Sequence, residues 1–384
     1  MRLYKGITMT SVQLEGFFFR PAPASADQLS EQRSESSQDF RPPPVRSERK
    51  PYHLDLAAVL PQRTQVIRQA GKICFHTVGD TGGVNGLGAQ QNIADHMTRQ
   101  IHDSSLPNQP SFFYHLGDLV YYTGDDLGYH DQFYHPYQDY PAPIFAIPGN
   151  HDGGTRDPAE TIKPFMKHLC STEAARAPEA GHSDRPTMIQ PNCYWTLETP
   201  VVIIVGLYSN VSGELDDTDS EVRTQRDWLT EELSTAPSDK CLLIAVHHPI
   251  YSLGKHGGTK AIERDLEHAM KASGRMPDAV FTGHDHCYQR FTRKREGWRI
   301  PFLVVGAGGF AGYDDMTKVK PYLAPPEDVR LKAYNDKRPG FLRVTITPEA
   351  LTGEYFTVPK PGKENKAAKL RDEFTLDLRT HRFV

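Results

Sequence analysis

Seven side chains in this 384-residue sequence could act together on a metal: Asp80, Asp118, Tyr121, Asn150, His247, His284 and His286. All of them offer oxygen or imidazole nitrogen, and none is a thiolate. Such a set suits iron, manganese or zinc better than a soft metal or a structural zinc. Seven donors exceed the needs of one tetrahedral ion, and a carboxylate can bridge two. The economical arrangement is therefore a two-metal site with its ions about 3.5–4 Å apart.

Five short apolar runs are placed to hold these donors. Ile73–Val78 leads into Gly79-Asp80-Thr81-Gly82, and Phe112–Leu116 leads into Gly117-Asp118-Leu119-Val120-Tyr121. A third run ends at Ile147 and continues as Pro148-Gly149-Asn150-His151-Asp152. Leu242–Val246 ends in His247-His248-Pro249, and Ala279–Thr282 in Gly283-His284-Asp285-His286. Short apolar runs bounded by Gly or Pro read as strands buried on both faces. Loops at the carboxyl ends of such strands form the ligand crevice of a layered sheet. Placed in one sheet, the five would bring their polar ends to one rim.

The rest of the chain supplies the covering elements. Ile93, Met97 and Ile101 recur on one face of a helix opened by residues 84–88, and Ile262, Leu266 and Met270 do the same over 259–270. Helix is also expected over 220–233, with strands at 192–196, 201–207, 302–305, 341–345 and 351–358. Helices alternating with strands early and strands clustering late predict an α/β (α+β) fold, a sandwich of two sheets covered by helices. Residues 1–50, rich in Pro, Ser, Gln, Glu and Arg, read as a disordered tail, and 51–384 as a single catalytic domain. Residues 153–191 read as a surface excursion with few apolar anchors beside the site.

With 38% hydrophobic residues the chain can build a sizeable core, and its net charge of -4 gives no general attraction for nucleic acid or an anionic membrane. The basic run Arg290–Arg299 reads as a hairpin edge whose charges discourage edge pairing. Five cysteines without a CxxC pair argue against a disulfide framework, and Cys74 and Cys241 read as small core residues. Ala24-Ser25-Ala26 resembles a signal-cleavage site, but Gln13 and Glu15 interrupt the apolar segment before it. A cytoplasmic location is expected, with a secreted or periplasmic one as the alternative.

The ordered pattern GDxG, GDxxY, GNHD, a later His and GHxH resembles the calcineurin-like metallophosphoesterases, and among them the purple acid phosphatases. That resemblance implies a four-layer metallophosphatase sandwich of two mixed β-sheets flanked by helices. Gly82 stands where most of the wider superfamily has a histidine, and Tyr121 is gained, which favours a harder trivalent ion. By resemblance, Asp80, Tyr121 and His286 would hold Fe(III). Asn150, His247 and His284 would hold a divalent ion, Fe, Zn or Mn, and Asp118 would bridge the two. Metal-lowered pKa of a bridging water would give the nucleophile for in-line attack on a phosphate ester. No separate N-terminal sandwich domain precedes the motifs, in which respect the chain looks more like the compact mammalian-type and bacterial enzymes.

His151, next to ligand Asn150, is the candidate general acid and phosphate contact, with Asp152 orienting it. His256 matches a histidine of mammalian-type relatives that contacts substrate. His76, His115 and His248 are expected to pack or hydrogen-bond. The expected activity is phosphomonoester hydrolysis; a phosphodiesterase on the same scaffold, or a binding protein with a degenerate site, are the alternatives.

Overall fold

The computed structural model describes residues 51–83, 86–153, 162–211, 220–310, 316 and 325–384, with the side chains of 220–224 left aside. The tail expected over 1–50 lies outside these residues, as do 154–161 of the excursion. In chain order come β1 (His53–Asp55), α1 (Leu56–Val59), α2 (Pro61–Ala70), β2 (Ile73–Val78), α3 (Gly88–Asp103), β3 (Phe113–His115) and β4 (Ile144–Ala146). Next are α4 (Lys163–Leu169), β5 (Trp195–Glu198), β6 (Val202–Leu207), α5 (Ser220–Thr235), β7 (Cys241–Val246), α6 (Lys260–Ser273) and β8 (Ala279–Thr282). Strands then dominate: β9 (Tyr288–Arg295), β10 (Trp298–Val305), β11 (Val329–Asn335), β12 (Gly340–Ile346), β13 (Ala350–Thr357), β14 (Lys369–Asp377) and β15 (Arg382–Phe383).

Among the described residues the strands form an eight-stranded sheet, ordered β1-β5-β6-β7-β8-β10-β9-β11, and a seven-stranded sheet, ordered β15-β14-β13-β12-β2-β3-β4. Both are mixed. In the second sheet β2, β3 and β4 run parallel while β12 pairs antiparallel with β2. The five apolar runs therefore do not share a sheet: β2, β3 and β4 belong to one, β7 and β8 to the other. Runs buried on both faces look alike whichever sheet they join, so the pattern could not assign them.

The sheets pack face to face over one hydrophobic core. Tyr114 of β3 stacks on Trp195 of β5 at 6.1 Å between centroids, and at the other side Tyr288 of β9 stacks on Tyr355 of β13 at 3.8 Å. Aromatic pairs of this kind add to the area they bury. Gly206 is needed in β6, because a Cβ there would lie 2.5 Å from the Tyr114 hydroxyl. The helical stripes Ile93–Met97–Ile101 and Ile262–Leu266–Met270 are buried as the spacing predicts.

Two other expectations change. The basic run is a hairpin, but β9 lies inside its sheet between β10 and β11. Its arginines are held in ion pairs rather than guarding an edge: Arg290 with Asp372, Arg293 with Asp328 and Glu267, and Arg295 with Glu267. The described part of the excursion is anchored, with Ile162, Phe165, Leu169, Ala177 and Ala180 buried.

Candidate metal centre

The motif loops meet because the two sheets open at the same end. Gly79 N–H donates to the Val305 carbonyl at 2.9 Å across the sandwich, Asp80 N–H to Gly117 at 2.9 Å, and Gly283 N–H to His247 at 2.9 Å. Each loop must then turn sharply. Asp80, Asp118 and His284 have φ of 59°, 56° and 70°, the left-handed region that non-glycine residues seldom occupy. Such backbone costs about 1–3 kcal/mol per residue and persists at functional sites where the surroundings enforce it. Gly149 allows the close approach, since a Cβ there would run into the Asp118 carboxylate.

All seven candidate ligands converge, in two groups. The Tyr121 hydroxyl lies 3.4 Å from Asp80 Oδ1, 3.4 Å from His286 Nε2 and 3.0 Å from Asp118 Oδ2. Asn150 Oδ1 lies 3.1 Å from His247 Nε2 and 2.9 Å from His284 Nδ1. Asp118 Oδ2 is also 3.4 Å from His247 Nε2, so this one oxygen belongs to both groups. That is the position a bridging carboxylate needs.

The donors fit a cation. His247 Nδ1 stands 2.8 Å from the Leu116 carbonyl, which can only accept, so Nδ1 carries a proton. Neutral His247 then turns its Nε2 lone pair toward the lone pairs of Asn150 Oδ1 and Asp118 Oδ2. A second proton or a metal ion resolves that opposition, and a histidine whose other nitrogen donates to a carbonyl is the usual metal-ligand arrangement. Four carboxylates, Asp80, Asp118, Asp152 and Asp285, are also buried together. Buried anions need compensating cations or hydrogen bonds.

Burial pushes Asp118 up, but the charges of His247 and His151 outweigh it and hold the carboxyl well below its usual range. Burial pushes His247 down, and Asp118 more than reverses that, carrying the imidazole up to about 9. Burial, joined by Asp118 and Asp80, keeps the proton on Tyr121. A bound cation inverts this logic and favours tyrosinate and carboxylate. His284 is kept neutral by burial and by the neighbouring His248 and His247, so one ring nitrogen keeps a lone pair available.

A second cluster, Asp126, His168 and Glu179, has similar spacing. It holds its own cation: Lys167 Nζ lies 2.5 Å from Asp126 and 2.8 Å from Glu179.

His151 sits at the centre, its ring 4.3 Å from that of Tyr121. Its N–H donates to Asp118 Oδ1 at 2.9 Å and its Nδ1 lies 2.7 Å from the Tyr122 carbonyl. Asp152 turns its carboxylate to the backbone of the motif loops. Its carboxylate accepts four backbone N–H groups, from Asp118 and Gly149 at 2.8 Å, Leu119 at 2.9 Å and Val120 at 3.1 Å. It ties the second and third motif loops together. His256 stands over His284, rings 4.4 Å apart.

Sequence reasoning missed three supports. Asp285 accepts the His256 N–H at 2.9 Å and the Ser252 hydroxyl; it occupies a variable motif position and gave no signal. Ser209 Oγ lies 2.8 Å from His248 Nδ1, so His248 is hydrogen-bonded as expected. Phe310 stacks on Tyr121 at 4.1 Å, a contact no spacing rule reports. His76 and His115 also behave as expected, bonding to Tyr140 and Thr81.

Comparison with known proteins agrees with this geometry. The family model for calcineurin-like phosphoesterases matches residues 75–288. Mouse tartrate-resistant acid phosphatase type 5 is 26% identical over 328 residues, covering 77% of this chain and 90% of the mouse protein. Purple acid phosphatase 17 of Arabidopsis thaliana is 34% identical over 105 residues, 27% of this chain and 28% of its own. A purple acid phosphatase from yellow lupin seeds shares the fold, with a TM-score of 0.56 at 16% identity, covering 80% of this chain and 54% of the lupin chain. With the motif order, the shared carboxylate and the family match in agreement, this chain belongs to the calcineurin-like phosphoesterase family, as a metal-dependent phosphatase related to the purple acid phosphatases.

Proposed function

We propose that the chain is an acid phosphatase acting on phosphomonoesters. Asp80, Tyr121 and His286 would hold Fe(III), Asn150, His247 and His284 would hold a divalent ion, and Asp118 would serve both. The observation that carries this reading is the position of Tyr121, whose hydroxyl is 3.0–3.4 Å from Asp118, Asp80 and His286. An anionic oxygen among two carboxylates and an imidazole favours a hard trivalent ion. When bound, the two ions supply Lewis acidity toward phosphate oxygens and lower the pKa of water at the site.

The chain's own residues do the rest. The Tyr122 carbonyl accepts from His151 Nδ1 and so fixes the ring, leaving Nε2 as the nitrogen that passes a proton to the leaving oxygen. The His151 backbone bond to Asp118 keeps that ring in register with the shared carboxylate. Asp285 holds the loop that presents His256, which is exposed at the mouth of the site and positioned to contact the bound ester.

The test is metal content and visible absorption of the purified protein beside a Tyr121→Phe variant, with hydrolysis of a monoester and a diester compared. The expected result is iron and a second metal near one each, a broad charge-transfer band lost in the variant, and faster monoester hydrolysis. Two metals without the band would overturn the iron-tyrosinate assignment, and faster diester hydrolysis the choice of substrate.

A further inference from the structure

Six basic side chains, Arg338, Lys360, Lys363, Lys366, Lys369 and Arg371, converge on a cleft of about 180 Å³ formed by the turn before β12, the end of β13, the start of β14 and the segment between them. Among the described residues none of the six forms an ion pair, although almost every other buried or half-buried arginine of β9 and β12 does. The acid carried by the same segment, Glu364, turns back onto the N–H of Gly362. Arg371 is held at the wall by a bond from its Nε to Thr357 Oγ1 at 3.2 Å, which leaves the outer guanidinium nitrogens toward the cleft. Like charges gathered without partners repel unless an anion lies among them, and here they gather in a chain whose net charge is -4.

The cleft opens on the rim that carries the metal centre. Leu342 of β12 pairs with Thr77 of β2, two residues before the loop that bears Asp80, and Gly340, Thr357 and Lys369 form one row across β12, β13 and β14. The turn before β12 is bonded to the site loops directly, Gly340 N–H donating to the Ala307 carbonyl at 3.0 Å. At a strand spacing of about 4.8 Å, β13 lies roughly 10 Å and β14 roughly 15 Å from β2 along this row.

The chemistry of the lining selects the ligand. Four lysines supply compact charges with rotatable donors, and two arginines supply forks that match phosphate oxygens. The lining residues include no aromatic ring on which a base could stack, which separates the cleft from a single-strand binding groove. We propose that the cleft is a subsite for the remote phosphates of a soluble polyphosphorylated substrate whose terminal phosphoryl group occupies the metal centre. The proposal rests on the phosphatase reading for the role of the centre, and on the cleft alone for the binding.

Medium-chain inorganic polyphosphate is the probe: water adds at the terminal phosphorus, the bridging P–O bond breaks, and orthophosphate and the shortened chain leave. The variant K360E/K363E/K366E reverses three exposed charges, and K271E/K294E/K332E makes the same change in net charge elsewhere on the surface. In the cleft variant kcat/KM for polyphosphate is expected to fall about tenfold or more, mostly through KM, with 4-nitrophenyl phosphate unaffected. The control variant should leave both near wild type. An unchanged polyphosphate constant, or an equal fall in the control, would overturn the subsite. Calorimetry separates the two readings: a chain that hydrolyses neither substrate yet binds polyphosphate, and loses that binding in the cleft variant, keeps the subsite and removes the phosphatase reading.

Discussion

The Asp285 carboxylate accepts the backbone N–H of His256 at 2.9 Å, so a residue between two candidate ligands holds the loop that brings a third imidazole over the centre. Ser252 extends the tie, since its hydroxyl bonds to Asp285 and accepts from Gln289 Nε2 at 2.7 Å and from Gly254 N–H at 2.9 Å. Replacing Asp285 with alanine leaves buried donors without an acceptor and frees the loop. We expect kcat/KM to fall about 10- to 100-fold, and His256→Ala to add little in the Asp285→Ala background. Additive losses in the double variant would show that Asp285 acts by another route than His256.

Asp118 Oδ2 stands between the Tyr121 hydroxyl at 3.0 Å and His247 Nε2 at 3.4 Å. Asp118→Asn removes the charge at nearly constant shape. Turnover should fall by about 10³-fold or more and bound metal should drop below two per chain. Prolonged chelation of the wild-type protein should reproduce the loss, with recovery on adding metal back. Activity retained in either case would remove the two-metal mechanism.

Asp152 makes a structural prediction. An asparagine there offers one acceptor oxygen and one NH₂ to four buried N–H groups, so about two donors are left facing a donor. At about 1–3 kcal/mol for each orphaned group, Asp152→Asn should lower unfolding stability by about 2–6 kcal/mol, read as a shift in denaturant midpoint. A change within about 0.5 kcal/mol, the range of ordinary surface substitutions, would mean the two motif loops are held by something else.

Much of this arrangement was legible because strands buried on both faces are short, apolar and abruptly ended. Val78-Gly79-Asp80 and Leu116-Gly117-Asp118 announce their own turns, and donor types at those turns name the chemistry. The partition of strands between sheets was not legible, since β4 and β7 have the same apolar character but different neighbours. Nor was the task of Asp152, because a carboxylate following a histidine in sequence reads as its partner. In the folded loop the nearer donors are backbone N–H groups brought from residues 118–120. Left-handed backbone at Asp80, Asp118 and His284 was likewise hidden, though the glycine before each marks where the chain turns.

His53 carries a pH prediction away from the centre. Its Nε2 lies 2.8 Å from Glu232 and its Nδ1 is paired with Glu198. The hydrogen bond that His53 donates to Glu232 outweighs the effect of burial, and with Glu198 it raises the imidazole from 6.5 to about 9. A folded pKa above the unfolded one stabilises the protein fully below pH 6.5, and that contribution is lost as the pH rises through about 9. The melting temperature of the wild type should therefore fall several degrees more than that of His53→Gln between slightly acidic pH and pH above 9. Parallel pH profiles for the two proteins would show that the histidine is not held as a cation, and that β1 is kept on β5 by its ladder and by the packing of Leu54 and Leu56 alone.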